Sequence, residues 1–232
     1  MTTSIERRYA ESRVDVRLRS DNEGRQTIGG YAAVFNKRSD DLGGFYEVIS
    51  DKAFNQSRGQ GFPGLVALYN HDQNILLGTT AARTLRADVD ENGLFYEVDL
   101  PQARGDLYEL VQRGDVSKSS FAFRTVGTDG DSWEMDDNGQ VRRTLLNVQL
   151  FDVSPVNTPA YRDSSVGVRS AEVALRSLAT QMHADPADVL AAAKEQELRR
   201  FFKRTDGGPA KPEPTSGPAA LSLVLSKAKP AR

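Results

Sequence analysis

The sequence predicts a mainly β protein with flanking helices, an α+β fold whose strands wrap into a compact, partly closed β-barrel. Three observations carry that expectation. Short segments with strand-type patterning recur between residues 12 and 161. Glycine-, proline- and asparagine-rich turn signals separate them. Helix-type patterning is confined to two short stretches inside this run and to a block after about residue 165. A strand-rich body with one or two helices favours a barrel over alternating βαβ units.

The strands follow in order. RVDVRLR (13–19) alternates apolar and charged residues, the mark of a half-buried strand. TIGGYAAVFN (27–36) carries Gly29 and Gly30, which predict a bulge or a close backbone approach. FYEVI (45–49) follows a Gly-Gly turn, and VALYN (66–70) follows a Gly/Pro loop. TLRADVD (84–90) and LFYEVDL (94–100) flank Glu91-Asn92-Gly93, where Asn-Gly predicts the positive φ of a type I′ hairpin turn. The same signal recurs at Asp137-Asn138-Gly139, between SWEM and VRRTLLNV. SSFAFRTV (119–126) alternates small and large side chains, and QLFDVSPV (149–156) is the last strand.

Two helices interrupt them. SDKAFNQSRG (50–59) begins with Ser50 as its cap. QARGDLYELVQRG (102–114) places Leu107, Leu110 and Val111 on one face and stops at Gly114. Beyond residue 165, AEVALRSLATQM and DPADVLAAAKEQELRRFFKR read as helices. Asp185 is the cap, Pro186 suits the first helical position, and Gly207-Gly208 is the stop. Leu190, Ala193, Leu198, Phe201 and Phe202 form an imperfect apolar stripe. From Asp206 the chain is rich in Pro, Ala, Gly and Lys, the composition of a flexible tail. The expected organisation is a β body over 1–165, a helical appendage over 166–205 and a tail over 206–232.

Composition narrows the chemistry. The 232 residues suffice for one domain with a sizeable core, and the net charge of −2 offers no general electrostatic attraction for nucleic acid. The absence of cysteine excludes disulfides, thiolate metal sites and a cysteine nucleophile. No run approaches the 18 apolar residues of a membrane-spanning helix, and MTTSIERRYAESR lacks the apolar core of a signal peptide. The expectation is a soluble, cytoplasmic protein. Only two histidines exist, His71 and His183, and no HExxH spacing occurs, so neither a metal nor an organic cofactor is expected.

Three fragments could carry catalysis. YNHDQ (69–73) sets His71 just beyond an apolar strand, as either a polar loop residue or a general base. VSKSSFAF (116–123) offers Ser119 and Ser120 as nucleophiles, although a serine where a turn becomes a strand is more often structural. Lys118 adds the alternative of a Ser–Lys dyad; alternation along a strand gives it a face in common with Ser120 and not with Ser119. LFDVSPVNTPAY (150–161) holds Asp152 between Phe151 and Val153, where a carboxylate needs either solvent or a partner such as an imidazole.

GYAAVFN, YEVISDKAF, LYNHDQNILLGTT, GDVSKSSFAF and LFDVSPVNTPAY, in that order, resemble the tailed-phage prohead (capsid-maturation) serine protease family over roughly residues 12–165. The resemblance implies a fold like that of the herpesvirus assemblin proteases. Its histidine motif falls on His71 with Gly78 downstream. Its serine motif falls on Ser119-Ser120-Phe121-Ala122-Phe123, which selects Ser120 as nucleophile and puts Ala122 where the family usually has glycine. Its third motif falls on Asp152-Val153-Ser154, with Pro159-Ala160 beyond, and makes Asp152 the third catalytic member; herpesvirus relatives use a second histidine there, but His183 lies in the helical appendage. The family implies an endopeptidase that acts inside the assembling prohead in the bacterial host cytoplasm. Its expected partners are a scaffold protein or the scaffolding segment of the major capsid protein, together with the chain itself as a self-cleavage substrate. Herpesvirus relatives also imply a homodimer. The alternative is a non-catalytic assembly or scaffolding factor that keeps the same barrel.

Overall fold

The computed structural model describes residues 5–13, 15–18, 25–157 and 165–202. Twelve strands and four α-helices make up the described chain. The strands are β1 (Glu6–Arg13), β2 (Asp15–Leu18), β3 (Gln26–Val34), β4 (Phe45–Ile49), β5 (Val66–Tyr69) and β6 (Asp72–Thr79), then β7 (Leu85–Val89), β8 (Gly93–Asp99), β9 (Lys118–Thr125), β10 (Asp131–Met135), β11 (Val141–Leu145) and β12 (Val148–Val156). The helices are α1 (Asn55–Gly59), α2 (Gly105–Arg113), α3 (Ser165–Gln181) and α4 (Pro186–Lys194).

The α+β, mainly β expectation holds, but no sheet closes into a barrel. The strands divide into a five-stranded sheet in the order β1-β9-β12-β5-β6, a four-stranded sheet β2-β3-β8-β7 and a three-stranded sheet β10-β11-β4. Ile28, Leu94, Tyr96 and Val98 of the four-stranded sheet and Ala67, Phe121, Phe123 and Val153 of the five-stranded sheet meet in one core, which Phe54, Leu107 and Val111 complete. A second core joins Phe45, Trp133 and Val141 of the three-stranded sheet to Leu175 and Leu178 of α3, Val189 and Ala192 of α4, and Leu198. Helix periodicity in residues 166–202 thus has a concrete purpose, an apolar face for the three-stranded sheet.

Several local expectations are corrected. Strands β1 and β6 were not legible as strands, because ERRYAESR and DQNILLGT break the alternation rule. Ser50 caps no helix: residues 51–54 form turns that bury Ala53 and Phe54, and α1 starts only after Phe54. Neither Asn92 nor Gly93 has positive φ, so their hairpin is not type I′. The Asp90 carboxylate caps that turn instead, accepting from the Asn92 and Gly93 amides at 2.8 and 3.0 Å. Gly93 is needed for another reason: a Cβ there would lie 2.0 Å from the Ala33 carbonyl oxygen. Asp185 does cap α4, accepting from the Ala187 amide at 2.7 Å, but the helix ends at Lys194, and a 3₁₀ turn (Leu198–Phe201) follows. Gly207-Gly208 and the expected tail lie outside the described residues.

Candidate active site

The tightest turn of the five-stranded sheet is the β5–β6 hairpin, where Tyr69 pairs with Asp72 and only two residues intervene. Those two, Asn70 and His71, have φ of +54° and +59°. Consecutive positive φ values in a two-residue hairpin are the mark of a type I′ turn, which suits the twist of the flanking strands. Asparagine tolerates this region; histidine does so at a cost. Backbone strain of this kind gathers at functional sites. Here it brings the His71 ring over β12 and β9.

Strand β9 supplies the serines. Ser119 and Ser120 are both fully buried but face opposite ways. Ser119 points into the core and shares a hydrogen bond of 3.0 Å with the Tyr96 hydroxyl. Burial pushes the Tyr96 phenol up, against the opposing effect of that bond, so the pair is a neutral structural link. Ser120 points the other way, with its Oγ 2.6 Å from His71 Nε2.

Asp152 reaches the same place through a bulge. Leu150 pairs with Phe123 but Asp152 pairs with Ala122, so Phe151 is the extra residue. Without that bulge Leu150 and Asp152 would share the core face. With it, Asp152 turns to the face of Ser120 and stands 2.5 Å from His71 Nδ1. A carboxylate only accepts, so the proton in this contact sits on Nδ1, leaving Nε2 as the nitrogen that faces Ser120.

Ser154, to which the sequence reading gave no role, completes the cluster. Its hydroxyl donates to Asp152 Oδ1 at 3.0 Å and accepts from the His71 amide at 3.2 Å. It therefore fixes both the acid and the backbone that carries the base. The Asp-X-Ser spacing was the available signal, since i and i+2 of a strand share a face. Gly78 has a packing role: a Cβ there would come within 2.7 Å of Val98 Cγ2 and 3.0 Å of Thr84 Oγ1. Lys118 is not among the polar partners of Ser120, which are His71 and the Arg8 carbonyl. His183 sits in the turn between α3 and α4 and makes no hydrogen bond to Ser120, His71 or Asp152 among the described residues. Among the described residues no group of three or more His, Asp or Glu is placed to hold a metal ion.

A Ser–His–Asp chain of close contacts is the geometry of acyl transfer: an imidazole oriented by a carboxylate can take a serine proton and return it. The family model for caudovirus prohead serine proteases matches residues 12–178. The chain belongs to that family. A search of curated proteins and a search of solved structures each gave no match. As a member of the prohead serine protease family the chain takes a serine peptidase's role in capsid maturation. The matched segment contains His71, Ser120 and Asp152, whereas residues 6–11 of β1 precede it.

Proposed function

We propose that this chain is a serine endopeptidase in which Ser120 is the nucleophile, His71 the general base and acid, and Asp152 the group that orients the imidazole. The observation that carries the reading is the continuous contact from Asp152 through His71 to Ser120, at 2.5 and 2.6 Å. Ser120 Oγ adds to the scissile carbonyl carbon as its proton passes to His71 Nε2. His71 then returns the proton to the leaving amine, and water repeats the sequence on the acyl-enzyme. Asp152 stays ionised and stabilises the imidazolium.

The substrates on this reading are the scaffold protein or the scaffolding segment of the major capsid protein, and the chain itself, inside the assembling prohead. Kinship with the herpesvirus assemblin proteases, a homodimer, and the division into a 1–165 body, a 166–205 appendage and a 206–232 tail belong to the same proposal. Intact mass followed over time, for the wild-type chain beside Ser120→Ala and His71→Ala, tests it. Shortening of the wild type alone is the expected result. Equal shortening of all three assigns the cleavage to another protease.

One observation favours the alternative, a non-catalytic assembly factor: Ser120 has no exposed surface. Co-expression with the capsid and scaffold proteins separates the two readings. A pure assembly factor supports prohead formation equally well with Ser120→Ala and leaves the scaffold uncut.

A further inference from the structure

What covers Ser120 is β1. This edge strand pairs antiparallel with β9 in a register that sets Tyr9 opposite Ser120, Arg8 opposite Phe121 and Arg7 opposite Ala122. The Ser120 hydroxyl donates to the Arg8 carbonyl oxygen at 2.8 Å. A hydroxyl has one proton; given to Arg8, it leaves His71 Nε2 facing only oxygen lone pairs. The ring of Tyr9 stands edge-on to His71, with centroids 6.5 Å apart. A main-chain carbonyl against the nucleophile, carried by an extended strand on the edge of the nucleophile's own strand, is where a substrate backbone has to lie.

The side chains of β1 fit this edge as a ligand fits a site. Glu6 and Arg8, two apart and on one face, enter a buried pocket beside Phe123. Arg8 donates to both Glu47 carboxylate oxygens at 2.7 and 2.9 Å, and Arg143 donates to both Glu6 oxygens at 2.6 and 2.9 Å. Paired forks of this kind select planar, opposite charges by geometry. Glu47 and Arg143 are register partners on β4 and β11, so the body presents an acid and a base side by side whether or not β1 is there. On the outer side the Ser170 hydroxyl of α3 accepts from the Arg7 amide at 3.2 Å.

We propose that the β9 edge is the substrate-binding edge, that Glu47 and Arg143 select an extended segment with an acidic residue two positions before a basic one, and that β1 occupies this edge as a tethered mimic that leaves before substrate binds. This rests on the serine-endopeptidase reading and deepens it. The carbonyl presented to Ser120 is that of the basic residue, so cleavage falls on its C-terminal side. In the covered state the Ser120 hydroxyl donates to the carbonyl oxygen instead of to His71, so β1 is held rather than cut.

The test uses the full chain, which has no native cysteine. In Arg7→Cys/Ala122→Cys the two residues are direct register partners, within reach of a disulfide. Ser120 is followed with a fluorophosphonate probe, which forms an Oγ–P bond and releases fluoride while His71 takes the proton. The expected result is labelling of the reduced form and at least ten-fold slower labelling of the oxidised form. A second variant, Glu6→Ala/Arg8→Ala, loosens the strand and should label at least ten-fold faster than the wild type. With the reduced chain, a reporter peptide containing Glu-Arg-Arg-Tyr should be cut after its second arginine at least ten-fold faster than one containing Glu-Arg-Glu-Tyr. Equal labelling of cross-linked and reduced chains, or the opposite peptide preference, overturns the inference and leaves the protease reading intact. If Ser120 labels in no form, wild type included, the protease reading fails and this inference falls with it.

Discussion

His71 and Ser120 are 49 residues apart in the chain and 2.6 Å apart in space. Nothing in the intervening sequence is continuous with that contact; it exists because β5 and β9 flank β12 in one sheet. Ser120→Ala and His71→Ala should each reduce peptide-bond cleavage by about 10³-fold or more. Ser120→Ala removes one hydrogen bond to β1, so its stability should change by about 1 kcal/mol or less. Processing assays paired with thermal denaturation check both halves, and a large loss of stability would count against a catalytic explanation.

Asp152 and Ser154 act on the same imidazole and should differ in size. Asp152→Asn keeps the shape but removes the charge that stabilises the imidazolium, and should lower kcat by roughly 10²–10⁴-fold. Ser154→Ala leaves the carboxylate in place with one hydrogen bond fewer, and should cost about ten-fold or less, with KM little changed. Steady-state kinetics on a reporter peptide separate the two.

The Asn70-His71 turn should be selective about what replaces Asn70. Valine at φ +54° is a strained choice costing about 1–2 kcal/mol, and it also withdraws the acceptor for the Asn157 amide. Asn70→Val should lower Tm and cleavage together, whereas Asn70→Gly keeps the turn and most of the activity. Equal behaviour of the two variants would show that the left-handed backbone does not position His71.

Gly93→Ala tests packing rather than conformation. Its Cβ would meet the Ala33 carbonyl oxygen at 2.0 Å, and backbone cannot step aside as a flexible side chain can. Destabilisation of roughly 2–4 kcal/mol in urea unfolding is expected.

The buried charges give stability a dependence on pH. Burial pushes the Glu6 carboxyl up, but the Arg143 and Arg8 guanidinium groups outweigh it and hold Glu6 below its ordinary value. A carboxylate with a depressed folded-state pKa contributes stability above its unfolded value, and that contribution is lost as pH falls through the folded one. The other charges facing Glu6 in the cluster are Glu47, beside Arg143 and Arg8, and Asp131, which Arg143 contacts at 2.6 Å. Tm should therefore fall on acidification below the ordinary carboxylate range. Glu6→Gln should be less stable at neutral pH and show a flatter acid limb, because the group that titrates is gone. An unchanged acid limb in Glu6→Gln would move the titration elsewhere.

The sequence by itself determined the mainly β class, the amphipathic faces of α2 and the C-terminal helices, and the three motifs that supply Ser120, His71 and Asp152. The class and the helix faces are local matters, set by periodicity, capping and residue type; the choice of the three residues rests on the resemblance of those motifs to the family's. Even there it misplaced the type I′ turn: Asn92-Gly93 carries the usual signal, but the positive-φ pair is Asn70-His71, which Tyr69 and Asp72 hold through strand pairing. Tertiary structure alone decided the rest. The bulge at Phe151 decides which face Asp152 takes, and only the ladder between β9 and β12 reveals it. Ser119 and Ser120 are equivalent as residue types; the family motif favours Ser120, and the core claims the face of β9 that carries Ser119. Glu6, Arg8, Glu47, Asp131 and Arg143 are scattered along the chain, and only the approach of the five-stranded and three-stranded sheets buries them together. Burial and facing are properties of pairs distant in sequence, and no window along the chain contains both members.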